Sequence, residues 1–594
     1  MNAIARNLVP LIVRELCKCS LTEGAQHRRE NSWETPIYDF RHFHLPNAAI
    51  GNVIEHMDNE LGLVSLACEY ATRAMSSYIK GLLTAMRSRR NRHLPVYRLP
   101  SEILVIVFRL AVESSSNGTR PLATKAPFNI SHVSSRWREI AITTPRLWTK
   151  YDATSARVAD IVLDRSKRAP LHVKLAQDDP DYFSDEESKR RCPPSTAKAY
   201  REGARNFSNF LRPLLPHTDR VEELILGDVE GSPWEHLRFP APNLKKLEVI
   251  ITEGDFDKPS TQVFVGTTPL LRDLRLWGYC PPLASSIYTG LTTLMLHDIY
   301  CDETVQDVLG VLAGCPRLKC LTLEDVELEP LENPSLLYID IHLPYLEEVV
   351  LAFLGQEVTS SILSSITASP TVQLKLREAD WEGSFLSDTF RSRLFSSNAA
   401  PICWARCKHA GYPRGAFAFD AGDFERGRRV KVVSPARAET AIPNLAQDLP
   451  IQSLESLAFE MMGQGNRLSV ASFSHLLADL PYITSITLSY SPDPWPFVDA
   501  LIVTPSSNLC PLLRELRIEG ALEIVKETLL EFARSRTASN RHTPDGPHLT
   551  HLAFIRCAAL DLPTELELRN LSLQVRVLAS EWQIEDIKFS RVQS

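Results

Sequence analysis

The 594-residue chain lacks any uninterrupted apolar run long enough to cross a bilayer. Its first residues, MNAIARNLVPLIVRELCK, do not have the pattern of a secretory signal peptide. One arginine precedes a short apolar patch, and charged residues follow where a signal peptide has a small-residue cleavage site. The 65 basic and 72 acidic residues leave no positive excess for nucleic acid or an anionic membrane. We therefore expect a cytoplasmic or nuclear protein with no membrane or nucleic-acid partner.

Cysteine is sparse and irregularly placed, with 12 residues in the whole chain, which is typical of reduced thiols. The tightest groups are Cys17 with Cys19, and Cys403 with Cys407 and His409. A zinc site needs four converging ligands, usually as two paired half-sites, and neither group has a second half-site. We expect free thiols and no metal.

Catalytic motifs are also missing. The sequence contains no G-x-S-x-G, no G-x-x-x-x-G-K-[ST] and no H-E-x-x-H, and MMGQGNR has two glycines without the full dinucleotide pattern. His42 and His44 stand among solvated polar residues, as does the acidic stretch DEESKR, so nothing indicates the converging groups of acid–base catalysis. We expect no catalytic residue, no cofactor and no enzyme activity.

What the chain does contain is an ordinary globular composition, with 44% hydrophobic and 23% charged residues. This composition predicts a folded chain with ample core. The length is several times that of a typical domain, so the chain has several domains or is built by repetition.

A heptad pattern follows a weakly structured segment over 1–50. It predicts a long amphipathic helix over 51–93 that ends in the basic stretch MRSRRNRH, which is a solvated helix end or a patch for nuclear import or an acidic partner. The helix either pairs two copies in a coiled coil or packs on its own chain; weak seam residues and two internal glycines favour packing. The seam positions are Ile54, Met57, Leu61, Val64, Cys68, Ala71, Met75, Tyr78, Leu82 and Ala85.

The stretch LPVYRLPSEILVIVFRLA, residues 94–111, predicts a helix that is apolar on more than one side. Pro100 suits its first turn, and Glu102 lies near the positive end of its dipole. Two apolar stripes run side by side, more than a small domain needs for its own core, so the surplus is a candidate surface for a partner protein. The stripes are Ile103, Val107 and Leu110, and Leu104, Phe108 and Ala111.

A second helical segment, NISHVSSRWREIAITTPRLW, follows a polar loop. With LPSEILVIVF it resembles an F-box, the helical module that docks on the Skp-type adaptor of a cullin-RING ubiquitin ligase. Ser134 stands where the family often has Cys, and the loop is longer than in compact F-boxes. The matching residues are Leu99, Pro100, Glu102, Ile103, Leu104, Phe108, Val133, Trp137, Arg138, Ala141, Pro145, Leu147 and Trp148.

The resemblance implies a small all-α domain over 94–150 and a set of adaptor-binding residues. Bulky anchors clustered on a small helical surface are also what binding hot spots consist of. The implied adaptor-binding residues are Leu99, Pro100, Ile103, Leu104, Val107, Phe108, Trp137 and Trp148.

A second pattern recurs over 165–590, namely Leu, two residues, Leu, one residue, Leu, usually just after proline, as in PNLKKLEV and PRLKCLTL. The first leucines at 244, 271, 291, 318 and 346 are separated by 27, 20, 27 and 28 residues, mostly within the range of leucine-rich repeats. In each unit, leucines point inward from a short strand, and a helix such as DETVQDVLGVLAGC or SVASFSHLLADL returns the chain.

The predicted fold is therefore α/β: an amphipathic helix and an all-α F-box, then a curved leucine-rich solenoid with a parallel sheet. Near 377–453 the pattern fades, which indicates inserted strands or degenerate repeats. The strand positions between inward leucines are expected to bind a target protein. They include Lys246, Glu248, Asp273, Arg275, Thr293, Met295, Glu348, Glu515 and Arg517.

The combination resembles F-box proteins with leucine-rich repeats, more loosely the irregular ones abundant in mushroom-forming fungi. It implies a non-catalytic substrate-recognition subunit of a Skp–cullin–F-box ubiquitin ligase, whose target the sequence does not identify. The alternative is a leucine-rich interaction scaffold outside any ligase. An adaptor binder would keep Leu104 and Phe108 partly exposed in the isolated chain, whereas a module that no longer docks would bury them.

Overall fold

The computed structural model describes most of the chain. The described residues are 47–114, 117, 120–176, 194–227, 229, 233–251, 263–278, 280–329, 340–369, 371–377, 402–409, 417–423, 429–434, 449, 451–460, 468–489, 493–538 and 548–578.

Helices dominate the N-terminal part. The long helix α1, Asn47–Asn91, confirms the helix that the heptad pattern predicts, and at 45 residues it is about 70 Å long. A 3₁₀ turn, Pro95–Arg98, leads into α2, Ser101–Glu113. Two shorter helices follow, α3 at Phe128–Ser131 and α4 at Ser135–Thr143, before a final 3₁₀ turn at Pro145–Trp148.

The chain divides into two compact units. The first contains 1–111 and 129–142, and the second contains 112–128 and 143–594. The stretch that resembles an F-box therefore contributes to both units: most of α2 and α4 belong to the first, and the linker between α2 and α3 to the second.

All strands of the described residues lie in the second unit. Their bounds are β1 Lys150–Asp152, β2 Leu171–Leu175, β3 Val221–Gly227, β4 Lys246–Ile250, β5 Asp273–Trp277, β6 Thr293–Thr304, β7 Cys320–Glu329, β8 Ile341–Leu343, β9 Glu348–Ala352, β10 Ile366–Ala368, β11 Gln373–Arg377, β12 Trp404–His409, β13 Phe417–Gly422, β14 Arg429–Ser434, β15 Ser456–Glu460, β16 Ser485–Ser489, β17 Glu515–Glu519, β18 His551–Ile555 and β19 Gln574–Leu578.

Seventeen of these strands form one long sheet that is almost entirely parallel. Parallel pairs run from β1 to β7 in chain order and continue through β9 and β11 to β14. From β14 the sheet passes antiparallel to β13 and then to β12, before parallel pairing resumes from β15 to β19. The predicted mixed α/β class with a parallel sheet is therefore confirmed.

The leucine pattern explains why these segments become strands. In β4, Leu247 and Val249 are buried while the residues that alternate with them are half-buried, and Leu244 before the strand is also buried. The same alternation recurs in β5 and β17. Because burying one such side chain contributes roughly 1.5–3 kcal/mol, each strand is fixed in register by its inward residues.

Short helices return the chain between strands. In α8, Val305–Ala313, Thr304 and Asp307 form a reciprocal capping box, and Ser469 caps α10, Val470–Ala478. Both coincide with predicted return helices. The other helices of the second unit are α5 Ala159–Ser166, α6 Pro194–Arg205, α7 Phe207–Leu211, α9 Gln356–Ser365, α11 Trp495–Ala500, α12 Lys526–Ala538 and α13 Leu562–Asn570.

Candidate partner-binding surfaces

The turn that begins α2 is held by a residue outside the predicted site. The guanidinium of Arg136, on α4, donates from Nη2 to the Leu99 carbonyl at 2.7 Å and from Nη1 to the Tyr97 carbonyl. Ser134 Oγ accepts a hydrogen bond from the Trp137 backbone N–H at 3.2 Å and so caps the start of α4. These bonds fix the position of Leu99, which is half-buried, and of Pro100, which is exposed.

Helix α2 carries an exposed apolar stripe. Ile103, Ile106, Val107 and Leu110 retain 42, 52, 45 and 64% of their accessible surface. Their spacing of i, i+3, i+4 and i+7 places them along one face of the helix, which we call the α2 stripe. An amphipathic helix that docks in a hydrophobic groove uses this spacing for its anchors.

Two predicted adaptor-binding residues face the opposite way. Leu104 and Phe108 are only 0 and 1% exposed, and the Phe108 ring packs against Trp137 with ring centroids 4.9 Å apart. The expectation that an adaptor binder keeps both residues partly exposed is not met, because they form the core beneath α2. In the described structure they offer no surface to a partner, and Ile103 and Val107 are the members of the predicted helix set that do.

The tryptophans are also packed inside. Trp148 is buried against the edge of Phe128, with ring centroids 5.1 Å apart, and the Arg165 guanidinium lies 4.5 Å from its ring centroid. Trp148 therefore supports its own unit and presents no surface. Trp137 is half-buried, and its indole Nε1 has no hydrogen-bond partner in the part of the chain that the structure describes.

The predicted target-binding residues lie on the face of the sheet that carries the half-exposed side chains, which we call the open face. Lys246 forms ion pairs with Glu223 at 3.3 Å and with Glu248 at 3.1 Å. The hydrogen bond from His172, assisted by Lys246, outweighs burial and lowers the pKa of Glu223 to about 2. Burial acts to lower the pKa of Lys246, but Glu248 and Glu223 raise it overall.

Elsewhere on this face, the charged residues predicted to bind a target form ion pairs within their own strand or with the next strand. Arg275 Nε lies 3.0 Å from Asp273 Oδ1, and Arg517 Nη2 lies 3.3 Å from Glu515 Oε1. Glu348 pairs with Lys375 on the next strand. Thr293 and Met295 on β6 lie opposite Asp273 and Arg275 of β5. The predicted residues therefore share one face, and their charges are largely neutralised there.

The seam of α1 is another exposed apolar surface. Ile54, Leu61 and Val64 are more than half exposed, and Met75 and Leu82 are also exposed. Tyr78 and Ala71 are half-buried. The interpretation favoured from sequence, a helix packed on its own chain, does not describe this seam.

Of the two cysteine groups found in the sequence, the structure describes the one at β12. Cys407 is buried on β12 and Cys403 is half-buried, and burial raises the pKa of the Cys407 thiol. Within the described ranges, no three His, Cys, Asp or Glu side chains come together as metal ligands. Cys17, Cys19, His42 and His44 lie outside the described residues.

Sequence reasoning missed Ile106 and Arg136, and it placed Leu110 in an apolar stripe without assigning it to the adaptor surface. The spacing of 103, 106, 107 and 110 could have identified the stripe, but it does not show which side of α2 is buried. No signal marked Arg136, because its role depends on backbone carbonyls almost 40 residues earlier in the chain.

Comparison with protein-family models finds no match to this chain, and comparison with curated proteins finds none either. Of the helices in the described part of the chain, none is both long enough and apolar enough to span a membrane.

Proposed function

We propose that the protein is the substrate-recognition subunit of a Skp–cullin–F-box ubiquitin ligase. The observation that carries this proposal is the α2 stripe, which lies on the helix introduced by Leu99 and Pro100 in the segment that resembles an F-box. Ile103, Ile106, Val107 and Leu110 would insert into a groove of the Skp-type adaptor, through which the protein joins a cullin-RING ligase.

Removal of the α2 stripe from water would stabilise the docked state. Four large aliphatic side chains at helical spacing form a continuous apolar surface whose burial is favourable at about 25 cal/mol per Å². Central aliphatic and aromatic anchors in a desolvated groove carry most of the binding energy of such interfaces. Leu104 and Phe108 contribute by holding the helix in place from beneath.

We further propose that the long sheet and its return helices form a curved leucine-rich solenoid that holds a target protein on the open face. Lys246, Glu248, Arg275 and Glu348 lie on that face, as do Glu515 and Arg517 near the other end of the sheet. The protein needs no catalytic group in this role. It raises the local concentration of target lysines beside the ubiquitin-loaded enzyme.

Co-purification from cells tests the docking step. Tagged wild-type chain is compared with Ile106→Glu/Leu110→Glu, and Leu522→Glu is the matched control because Leu522 is a strongly exposed leucine outside α2. We expect wild type and control to retain the Skp-type adaptor and the cullin, and the double variant to lose both. Absence of both proteins from folded wild type contradicts the proposal.

One observation favours a second function, that of a leucine-rich interaction scaffold without a ligase. Leu104 and Phe108 are buried, as expected of a module that no longer docks. The two functions differ in what the α2 stripe does: in the scaffold, Ile106→Glu/Leu110→Glu leaves every interaction of the protein unchanged.

A further inference from the structure

A cluster of positive charge lies on the open face where the sheet turns antiparallel. The outward positions of β11, β14, β13 and β12 carry six cations and one carboxylate, that of Asp420 on the central strand β13. We call the six cations the basic patch. They are Lys375, Arg377, Arg429, Lys431, Arg406 and Lys408.

Four of these cations have a carboxylate partner. Arg429 Nε donates to Asp420 Oδ1 at 2.8 Å, and Lys375 pairs with Glu348. Arg377 lies 3.2 Å from Glu324 and Arg406 lies 3.1 Å from Glu460. These partners stand on β13 itself or on strands β7, β9 and β15 beside the patch.

The other two cations, Lys431 and Lys408, have no such partner among the residues that the structure describes. No carboxylate of the described residues lies within ion-pair distance of either ammonium. Among the described residues, six cations against four carboxylates leave an excess of two positive charges. Both lysines are half-buried, so bulk water compensates their charge less fully than on an open surface.

The sheet register places the two lysines near each other. Lys431 on β14 is opposite Asp420, and Lys408 on β12 is opposite Ala418, so only β13 separates their strands. Two strand spacings and an offset of two residues along the strand correspond to about 12 Å between backbones, and both long side chains rise from the same face. Burial, followed by the charges of Lys408 and Arg377, lowers the pKa of Lys431, and the charge of Asp420 opposes this effect.

We propose that the basic patch binds a phosphate monoester, with Lys431 and Lys408 as the two cations that contact it. A phosphate monoester carries about −1.5 to −2 charges at neutral pH and three strong acceptor oxygens, which matches an excess of two positive charges. Each ammonium has three donors and no acceptor, so two lysines can bind different oxygens of one phosphate group.

The carboxylates beside the patch limit the ligand to one phosphate group. Glu324 and Glu348 lie on one side of the patch and Glu460 on the other. A nucleic acid, with a phosphate at every nucleotide, would bring negative charge against these carboxylates. The phosphate can be part of a phosphorylated protein side chain or of a small phosphorylated molecule, and the experiment below separates these sources.

The test uses the full-length chain and fluorescence anisotropy. The probe is a labelled neutral peptide with one phosphoserine; its unphosphorylated form is compared, and inorganic phosphate is the competitor. The lysine variant is Lys431→Gln/Lys408→Gln. The matched control is Lys319→Gln/Lys526→Gln, which removes the same charge from two exposed lysines that each pair with a carboxylate outside the patch.

We expect wild type and the matched control to bind the phosphopeptide equally, and the lysine variant to bind it at least tenfold more weakly while retaining the circular dichroism of wild type. Phosphopeptide binding that is at least tenfold tighter than inorganic phosphate identifies a protein-borne ligand. Equal affinities identify a small phosphorylated molecule. Equal binding of the unphosphorylated peptide, equal losses in both double variants, or no binding of either phosphate probe overturns the site.

The phosphate site does not depend on the ligase function. It uses strands β11 to β14, whereas adaptor docking uses α2, and neither experiment changes a residue that the other requires.

Discussion

Lys125 and Asp152 form an ion pair in which both side chains are buried, with 6 and 9% of their side-chain surface exposed. The Lys125 ammonium also donates to Thr154 Oγ1 at 2.8 Å. Asp152 Oδ1 accepts from the backbone N–H groups of Thr154 at 3.1 Å and Ser155 at 2.9 Å. The pair attaches the linker between α2 and α3 to the turn after β1, both within the second unit.

Removing one partner of this pair should destabilise the protein strongly. Lys125→Met leaves the Asp152 carboxylate buried without its cation, and breaking a buried pair in this way typically costs about 3–5 kcal/mol. Urea denaturation followed by circular dichroism measures the effect. Lys526→Met, at an exposed lysine, should leave the curve almost unchanged. Equal curves for the two variants contradict the structural role of Lys125.

The two sides of α2 should respond differently to truncation. Leu104→Ala removes buried methyl groups and should lower the free energy of unfolding by about 2–5 kcal/mol. Ile106→Ala, two residues further on and on the exposed side of the helix, should change it by no more than about 0.5 kcal/mol. Denaturant titration of both variants checks this difference, and a large loss for Ile106→Ala would show that the stripe is packed.

The exposed seam of α1 should pair two copies of the chain. Heptad spacing with exposed Ile54, Leu61 and Val64 is typical of a coiled-coil surface without its partner. Light scattering after size-exclusion chromatography should show wild type as a dimer and Leu61→Glu/Val64→Glu as a monomer. Leu66→Glu, which adds a charge on the opposite side of the helix, should remain dimeric. A monomeric wild type at micromolar concentration refutes this pairing.

Acid should remove the stabilisation that Glu223 provides. The folded pKa of about 2 lies below the ordinary value of 4.5, so the contribution is complete above pH 4.5 and disappears as the pH falls towards 2. Glu223→Gln lacks this contribution at every pH. The stability difference between wild type and Glu223→Gln, measured by urea denaturation, should therefore shrink between pH 4.5 and 2. A difference that stays constant over this range contradicts the assignment.

The sequence predicts the parallel strands well, because their inward leucines alternate with polar residues. The pattern fails at β13, Phe417–Gly422, where all six residues are buried and no alternation remains. It also does not show that β12 to β14 pair antiparallel, since direction depends on which strands meet. This register brings Lys408 and Lys431 onto strands that only β13 separates, with no carboxylate partner among the described residues, and no sequence pattern indicates that grouping.

In the segment that resembles an F-box, the sequence likewise does not determine which side of α2 is buried. The sequence reveals two apolar stripes on α2, but only tertiary packing decides which becomes core. Phe108 packs on Trp137, which turns Leu104 inward and leaves Ile106 and Leu110 in solvent. A family pattern locates the helix in the chain without showing which of its apolar residues remain available to a partner.

Direct binding of the purified full-length chain to a purified Skp-type adaptor tests the central claim most simply. Calorimetric titration should give saturable binding for wild type and for Leu522→Glu. Loss of one anchor worth about 2 kcal/mol weakens binding about 30-fold, so Ile106→Glu/Leu110→Glu should lower the affinity by at least that factor. Folded wild type that binds no adaptor, or a double variant that binds as tightly as wild type, would contradict docking through the α2 stripe.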